Sequence, residues 1–361
     1  MRPLVLYPKY LFDKSLFKIM MNIRRFLYLF LASLALFGCS KNNDATPNTD
    51  GTAPTDVPAT FGVRHDIPLS KYETVATNQA PFNTSDYPDF TPVVFINADH
   101  GEASGTCTGT LIGSQWVLSA GHCFFDPAKD TAPTSISKLS ILVGADPNNP
   151  IETRKVSALY IAPSWLDGGD FYKYGNDIAL IKLASPITSV TPAAVNFTMD
   201  AETIGSTVWY AGYGDYSAQA GQDASKRSKK HALENILDRR MGGLTHVISG
   251  VNYEGGTLAF DFDDPSGIIN TLGDSYANDQ EKALGSGTST NKALDWEATT
   301  VQGDSGGPLL MKINFKWTVI GVLNGGVTEP LVGLKDGAYG DISTFTRTAS
   351  FRTWIQDTMK K

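Results

Sequence analysis

The sequence predicts an all-β domain running from about Thr91 towards the C-terminus. Three observations carry this. Short apolar runs recur, each broken by Gly, Asn, Asp or Pro, at the spacing of strands and turns. Two of them, Thr108–Ile112 and Gln115–Ala120, flank Gly113-Ser114, as in a hairpin with a two-residue turn. A third, from Asp177 to Leu183, is apolar at most positions, as a buried strand is, with Lys182 long enough to reach solvent.

The chain has 361 residues, a formal net charge of −7 and 42% hydrophobic residues, enough apolar material for one or two cores. Its acidity argues against nucleic acid as a partner. The apolar run Phe26–Phe37 follows Arg24-Arg25 and is too short to span a bilayer, so residues 1–38 read as an export signal. That signal is already complete if translation begins at Met20 or Met21. It ends in Leu36-Phe37-Gly38-Cys39, which resembles a bacterial lipoprotein signal. The resemblance implies cleavage before Cys39 and a lipid on its sulfur. Residues 39–60, rich in Asn, Thr, Asp and Pro, cannot bury a core and read as a flexible tether. Residues 61–90 read as a pro-segment or N-terminal arm. The other two cysteines, Cys107 and Cys123, belong to an exported chain, where a disulfide is the default, worth about 3 kcal/mol for a loop of this size.

Further on, Val208–Gly214 and Trp317–Leu323 read as apolar strands, and Thr348–Met359 has helical spacing at Phe351, Trp354, Ile355 and Met359. Between Asp215 and Leu294 the pattern thins into extended surface hairpins. Ser225–Lys230 is basic and Asp261–Asp264 acidic. Both read as solvated loops, since neither matches a metal-loop spacing. No metal or other cofactor is expected.

The stretch Thr299-Thr300-Val301-Gln302-Gly303-Asp304-Ser305-Gly306-Gly307-Pro308 carries chemistry. A serine followed by two glycines leaves room for a carbonyl to approach the backbone. Gly303 and Gly306 permit a path that aims two N–H groups at one point. Asp304, placed where water is excluded, needs a buried cationic partner. The Gly-Asp-Ser-Gly-Gly-Pro run resembles the nucleophile loop of chymotrypsin/trypsin-like serine proteases. Upstream, Ala120-Gly121-His122-Cys123 resembles that family's histidine motif, and Asn176-Asp177-Ile178-Ala179-Leu180 its aspartate motif, in the order His, Asp, Ser known for the fold.

The resemblance covers about Thr91 to Lys361. It implies two six-stranded antiparallel β-barrels, at about 91–200 and 201–347 within a protease domain of 91–361, and a closing helix at about 348–360. Ser305 would be the nucleophile, His122 the base that returns its proton to the leaving amine, and Asp177 the residue that orients His122. Gly303 and Ser305 N–H groups would form the oxyanion hole, and Cys107–Cys123 would be the family's histidine-loop disulfide. In the family, Asp304 pairs with a newly cut N-terminus of Ile-Val-Gly-Gly type. No such run precedes Cys107, so either a cut falls between the tether and Thr91, with Val63–Ile67 one candidate region, or another cation serves.

Thr299 stands where the family's primary pocket has its base, and Gly326 and Gly337 align to the pocket's flanks. Without a carboxylate at 299, cleavage after Arg or Lys is not expected. Two departures alter the site: Val301 replaces a cysteine that braces the pocket, and Asn324-Gly325-Gly326 replaces Ser-Trp-Gly. The function expected is an exported, lipid-anchored serine endopeptidase acting on proteins or peptides, facing the periplasm or cell exterior or released by cleavage. A non-catalytic binding lipoprotein on a protease scaffold and an esterase with the same triad are the alternatives.

Overall fold

The computed structural model describes residues 57–99, 104–124, 133–166, 175–216, 229–240, 245–248, 251–254, 256–273, 289–327 and 336–361. The expected signal, Cys39 and most of the tether lie outside them, as does part of the 215–294 region. The fold is all-β, as the sequence predicts.

The first six strands are β1 (Val93–Asp99), β2 (Ser104–Gly113), β3 (Trp116–Ser119), β4 (Leu139–Val143), β5 (Glu152–Ile161) and β6 (Ala179–Leu183). They close into an antiparallel barrel in the order β1-β2-β3-β6-β5-β4. The alternation is visible in β4, where Leu139, Ile141 and Val143 are buried and the serine and leucine between them are half-buried. β2 and β3 form the expected hairpin, with a register shift between Leu111 and Gly113.

Ten further strands follow: β7 (Ala194–Val195), β8 (Thr207–Gly212), β9 (His231–Ile236), β10 (Arg239–Arg240), β11 (Thr245–Ile248), β12 (Val251–Glu254), β13 (Thr257–Asp261), β14 (Pro308–Ile313), β15 (Lys316–Val327) and β16 (Ile342–Arg347). Eight form one sheet, ordered β10-β13-β16-β15-β14-β8-β9 with β7 beside β15, a half-barrel rather than a second closed ring. The pair β11–β12 stands apart from it. Strand periodicity divides β8, β14 and β15 between two cores. Trp209, Ala211, Leu310, Val319 and Val322 join the first core, while Val208, Tyr210, Leu309, Met311, Ile320 and Leu323 fill the second.

Two terminal elements complete the domain. The helix Arg352–Thr358, extended backwards by a 3₁₀ turn, buries Phe351 and Ile355 against the first core at the predicted spacing. The arm of residues 61–90 is packed rather than trailing. Val63 and Tyr72 are fully buried in the second core, and the Gly62 carbonyl accepts the Thr299 N–H at 2.9 Å.

Of the two stretches read as solvated loops, Ser225–Lys230 is described only at an exposed Lys229 and a buried Lys230, and Asp261–Asp264 is buried throughout. Lys230 is 3% exposed and donates to the Phe90 carbonyl at 2.9 Å; burial brings its amine down to about 7. Asp261, Asp263 and Asp264 are also buried, because Asp261 and Asp264 accept backbone N–H groups of Leu272 and Ile269 and so shape their own turns. Burial, then the charges of Asp261 and Glu297, pushes Asp263 up to about 11. A carboxyl raised in this way favours folding below its ordinary value near 4 and loses that contribution as pH climbs towards 11. Asp263→Asn is therefore expected to stabilise the domain by at least about 1 kcal/mol at pH 8 and hardly at all at pH 4. Urea unfolding at the two pH values checks this, and destabilisation at pH 8 sinks it.

Candidate active site

Strand register brings the first two site residues together. Ser119 of β3 pairs with Ala179 of β6, so His122, just past one strand, and Asp177, just before the other, emerge at the same end of the ladder. Asp177 is fully buried. Its Oδ1 accepts the His122 N–H at 2.9 Å, and its Oδ2 lies 2.5 Å from His122 Nδ1. Because a carboxylate only accepts, Nδ1 carries the proton and the lone pair is left on Nε2. Gly121 makes this approach possible: a Cβ there would lie 3.1 Å from Asp177 Oδ1 and 2.9 Å from the Trp165 ring. The second sheet reaches over as well, since Thr346 of β16 donates its hydroxyl to the Asp177 carbonyl at 2.9 Å.

The Ser305 loop is fastened to the same end of the first barrel. Thr108 N–H donates to the Ser305 carbonyl at 2.8 Å, and the Thr108 hydroxyl to the Gly303 carbonyl at 3.0 Å. The disulfide Cys107–Cys123 is present, and Cys123 Sγ lies 3.6 Å from the Ser305 carbonyl. One covalent link thus braces the neighbour of His122 and the backbone of Ser305. Gly306 has φ +85°, and a Cβ there would fall 2.1 Å from Ser119 Oγ, so no other residue fits. Gly303 has φ +99°. Among the described residues, the N–H groups of Gly303 and Ser305 donate to no protein acceptor. Two donors so placed suit a developing oxyanion.

Asp304 points away from the cleft and is fully buried. Its Oδ1 accepts the Gly214 N–H at 2.9 Å, and its Oδ2 the Val301 N–H at 3.0 Å and the Tyr216 hydroxyl. Burial first, then the Asp304 charge, pushes the Tyr216 hydroxyl well above its ordinary value, which keeps it a donor.

Thr299 is fully buried and its hydroxyl lies 2.9 Å from Ser343 Oγ. Gly326 pairs with Ser343 across β15 and β16. Gly337 is linked to Thr299 through Gly62: its carbonyl accepts the Gly62 N–H at 2.6 Å, the Gly62 carbonyl accepts the Thr299 N–H at 2.9 Å, and a Cβ on Gly337 would strike the Phe61 ring at 2.7 Å. Ser343 is thus the residue opposite Gly326 and beside the Thr299 hydroxyl. Sequence reading also missed Asp341, a buried carboxyl that accepts the N–H groups of Gly337 and Ile342, each at 2.9 Å. Asn324 spans Thr344 and Thr346 through its amide. Among the described residues, the grouping tight enough to suggest a metal is Cys107, His122 and Cys123, and its sulfurs are consumed in the disulfide.

A family model described as Trypsin matches residues 83–249, which include His122 and Asp177 and end before Ser305. The chain is 28% identical over 258 residues to Transmembrane protease serine 11G of Rattus norvegicus and 26% identical over 257 residues to that of Mus musculus. Each alignment covers 69% of this chain and 48% of the relative, so the chain spans about half the length of these curated relatives. A solved structure, the scabies mite inactivated protease paralogue S-I1, is 20% identical, covering 75% of this chain and 96% of its own, at a TM-score of 0.44.

Proposed function

We propose that this chain is a trypsin-like serine protease, an exported endopeptidase that cleaves peptide bonds through an acyl-enzyme on Ser305. The match of residues 83–249 to the Trypsin family model and the similarity to Transmembrane protease serine 11G support it. The observation that carries the reading is the buried Asp177 carboxylate, 2.5 Å from His122 Nδ1, at the same barrel end to which Thr108 fastens the Ser305 loop. Fixed in that tautomer, His122 takes the Ser305 hydroxyl proton as Oγ bonds to the substrate carbonyl carbon. The carbonyl oxygen becomes an oxyanion facing the N–H groups of Gly303 and Ser305, each such donor being worth about 3 kcal/mol. His122 then passes its proton to the leaving amine, and water, activated by the same imidazole, releases the acid and restores Ser305. Asp177 stabilises the imidazolium throughout without taking its proton.

The substrate is a protein or peptide, and the residue before the cut is uncharged. Thr299 and Ser343 offer hydroxyls, and both oxygens of the adjacent Asp341 already accept backbone N–H groups of their own turn. A guest guanidinium or ammonium would lose its hydration with little in return. We also propose that the chain is exported by residues 1–38 and tethered to a membrane by a lipid on Cys39.

Digestion of casein, followed by a panel of peptides varying the residue before the cut, tests the substrate reading. Casein cleavage is expected, with kcat/KM for Arg or Lys at least about tenfold below that for the best uncharged residue. A clear preference for Arg or Lys would overturn the pocket assignment and transfer the role to Asp341.

A further inference from the structure

A fully buried carboxylate is offset by a cation beside it, and among the described residues His231, the first residue of β9, stands at ion-pair distance from Asp304. His231 is 2% exposed, and its Nε2 stands 3.3 Å from Asp304 Oδ1, an ion-pair distance without in-line hydrogen-bond geometry. Its Nδ1 stands 3.3 Å from the Lys229 carbonyl. An imidazolium at this position would have an oxygen 3.3 Å from each ring nitrogen. Tyr216 closes the group: its hydroxyl donates to Asp304, and its ring lies 3.7 Å, edge to face, from the His231 ring. Gly212 and Gly214 leave the carboxylate its room, since a Cβ on either would lie within 2.5 Å of an Asp304 oxygen.

This group shapes the nucleophile loop. The Asp304 carbonyl accepts the Gly307 N–H at 2.9 Å and the Tyr210 hydroxyl at 2.5 Å, so both ends of Asp304 are clamped and Ser305 is carried on a fixed turn. Next to it, the arm passes as continuous chain. Thr60 is 4% exposed, Gly62 bonds to Gly337 and Thr299, and a Cβ on Gly62 would come 2.6 Å from the Tyr216 ring. The uncut arm and the Asp304 group thus fit together.

We infer that His231 is a positioning residue: as an internal cation, with Tyr216, it holds Asp304 and so the Ser305 loop in working shape without a newly cut N-terminus. The inference rests on Ser305 being the nucleophile. Its test uses the full chain, shown by intact mass to be uncut, with fluorophosphonate labelling and peptide turnover as readouts. The uncut chain is expected to label. His231→Leu is expected to lower kcat about a hundredfold with KM within about threefold, and His231→Gln, which restores an N–H donor, to recover most of it. Tyr216→Phe, which removes one donor without changing shape, is expected to lower kcat about tenfold even where His231→Leu does not fold. Independently of turnover, proton NMR is expected to show both His231 ring N–H signals protected from exchange, and Asp304→Asn to remove the Nε2 one. Labelling that appears only after a cut within residues 57–63, or undiminished turnover in both His231→Leu and Tyr216→Phe, overturns the inference. A chain that labels in no form overturns the Ser305 reading instead, and this inference with it.

Discussion

Replacing Ser305 with alanine is expected to lower kcat roughly a millionfold while moving KM for a peptide substrate less than about threefold. The hydroxyl is the atom that bonds to the substrate carbon, so without it the base has no proton to take and the orienting acid nothing to orient. The loss is accordingly not additive. His122→Ala is expected to cost about as much alone, and Ser305→Ala with His122→Ala together hardly more than either. Asp177→Asn differs in kind. An amide at that position donates to Nδ1, which moves the imidazole proton to Nε2 and turns the lone pair away from Ser305, a loss of about ten-thousandfold. Active-site-normalised kinetics at saturating substrate decide the matter. A Ser305→Ala protein that keeps a tenth of its turnover would end the reading.

The largest effect on stability is expected where the catalytic residues are not. Arg347, at the end of β16, is 1% exposed and meets the equally buried Glu202 through two bonds, Nε to Oε1 at 3.1 Å and Nη2 to Oε2 at 2.6 Å. Asn196 donates a further bond to Glu202 Oε1 at 3.1 Å. The pair joins the β7–β8 connection to the strand whose Thr346 supports Asp177. Removing Arg347 strands the buried Glu202 carboxylate, so Arg347→Ala is expected to cost about 3–5 kcal/mol, and Glu202→Ala somewhat less, because Arg347 Nη2 keeps Asp200 Oδ1 at 3.4 Å. The charges offset each other's burial, so replacing both, as Glu202→Leu with Arg347→Met, is expected to cost less than either alone. Denaturant unfolding of the four proteins makes the cycle. Single variants within 1 kcal/mol of the parent would show that the pair is solvated after all.

The sequence discloses what is local and hides what is brought together. The β2–β3 hairpin was legible because Gly113-Ser114 sits between two apolar runs, and β6 because its residues are apolar almost without break. The three short motifs at His122, Asp177 and Ser305 were legible as types. Their proximity was not, since it arises from the Ser119–Ala179 pairing and from Thr108 bonding to the Ser305 loop. Charge misled in both directions. Asp261 to Asp264 and Lys230 look solvated in one dimension, and only tertiary contacts with Leu272, Ile269 and Phe90 take them inside. His231 carried no motif and lies far in the chain from Asp304. The β8–β9 pairing, which sets His231 opposite Gly212, is what brings it there. Ser343 was missed because it carries no motif, and only the β15–β16 register places it opposite Gly326.

The account depends most on the reactivity of one hydroxyl. Treating the full chain with a fluorophosphonate and sequencing its peptides by mass spectrometry reads that directly. The expected result is a single phosphonyl adduct on Ser305, formed slowly or not at all in Asp177→Asn and absent in Ser305→Ala. An adduct on another residue, or an unmodified Ser305 in a folded chain whose Asp177–His122 contact is intact, would contradict it.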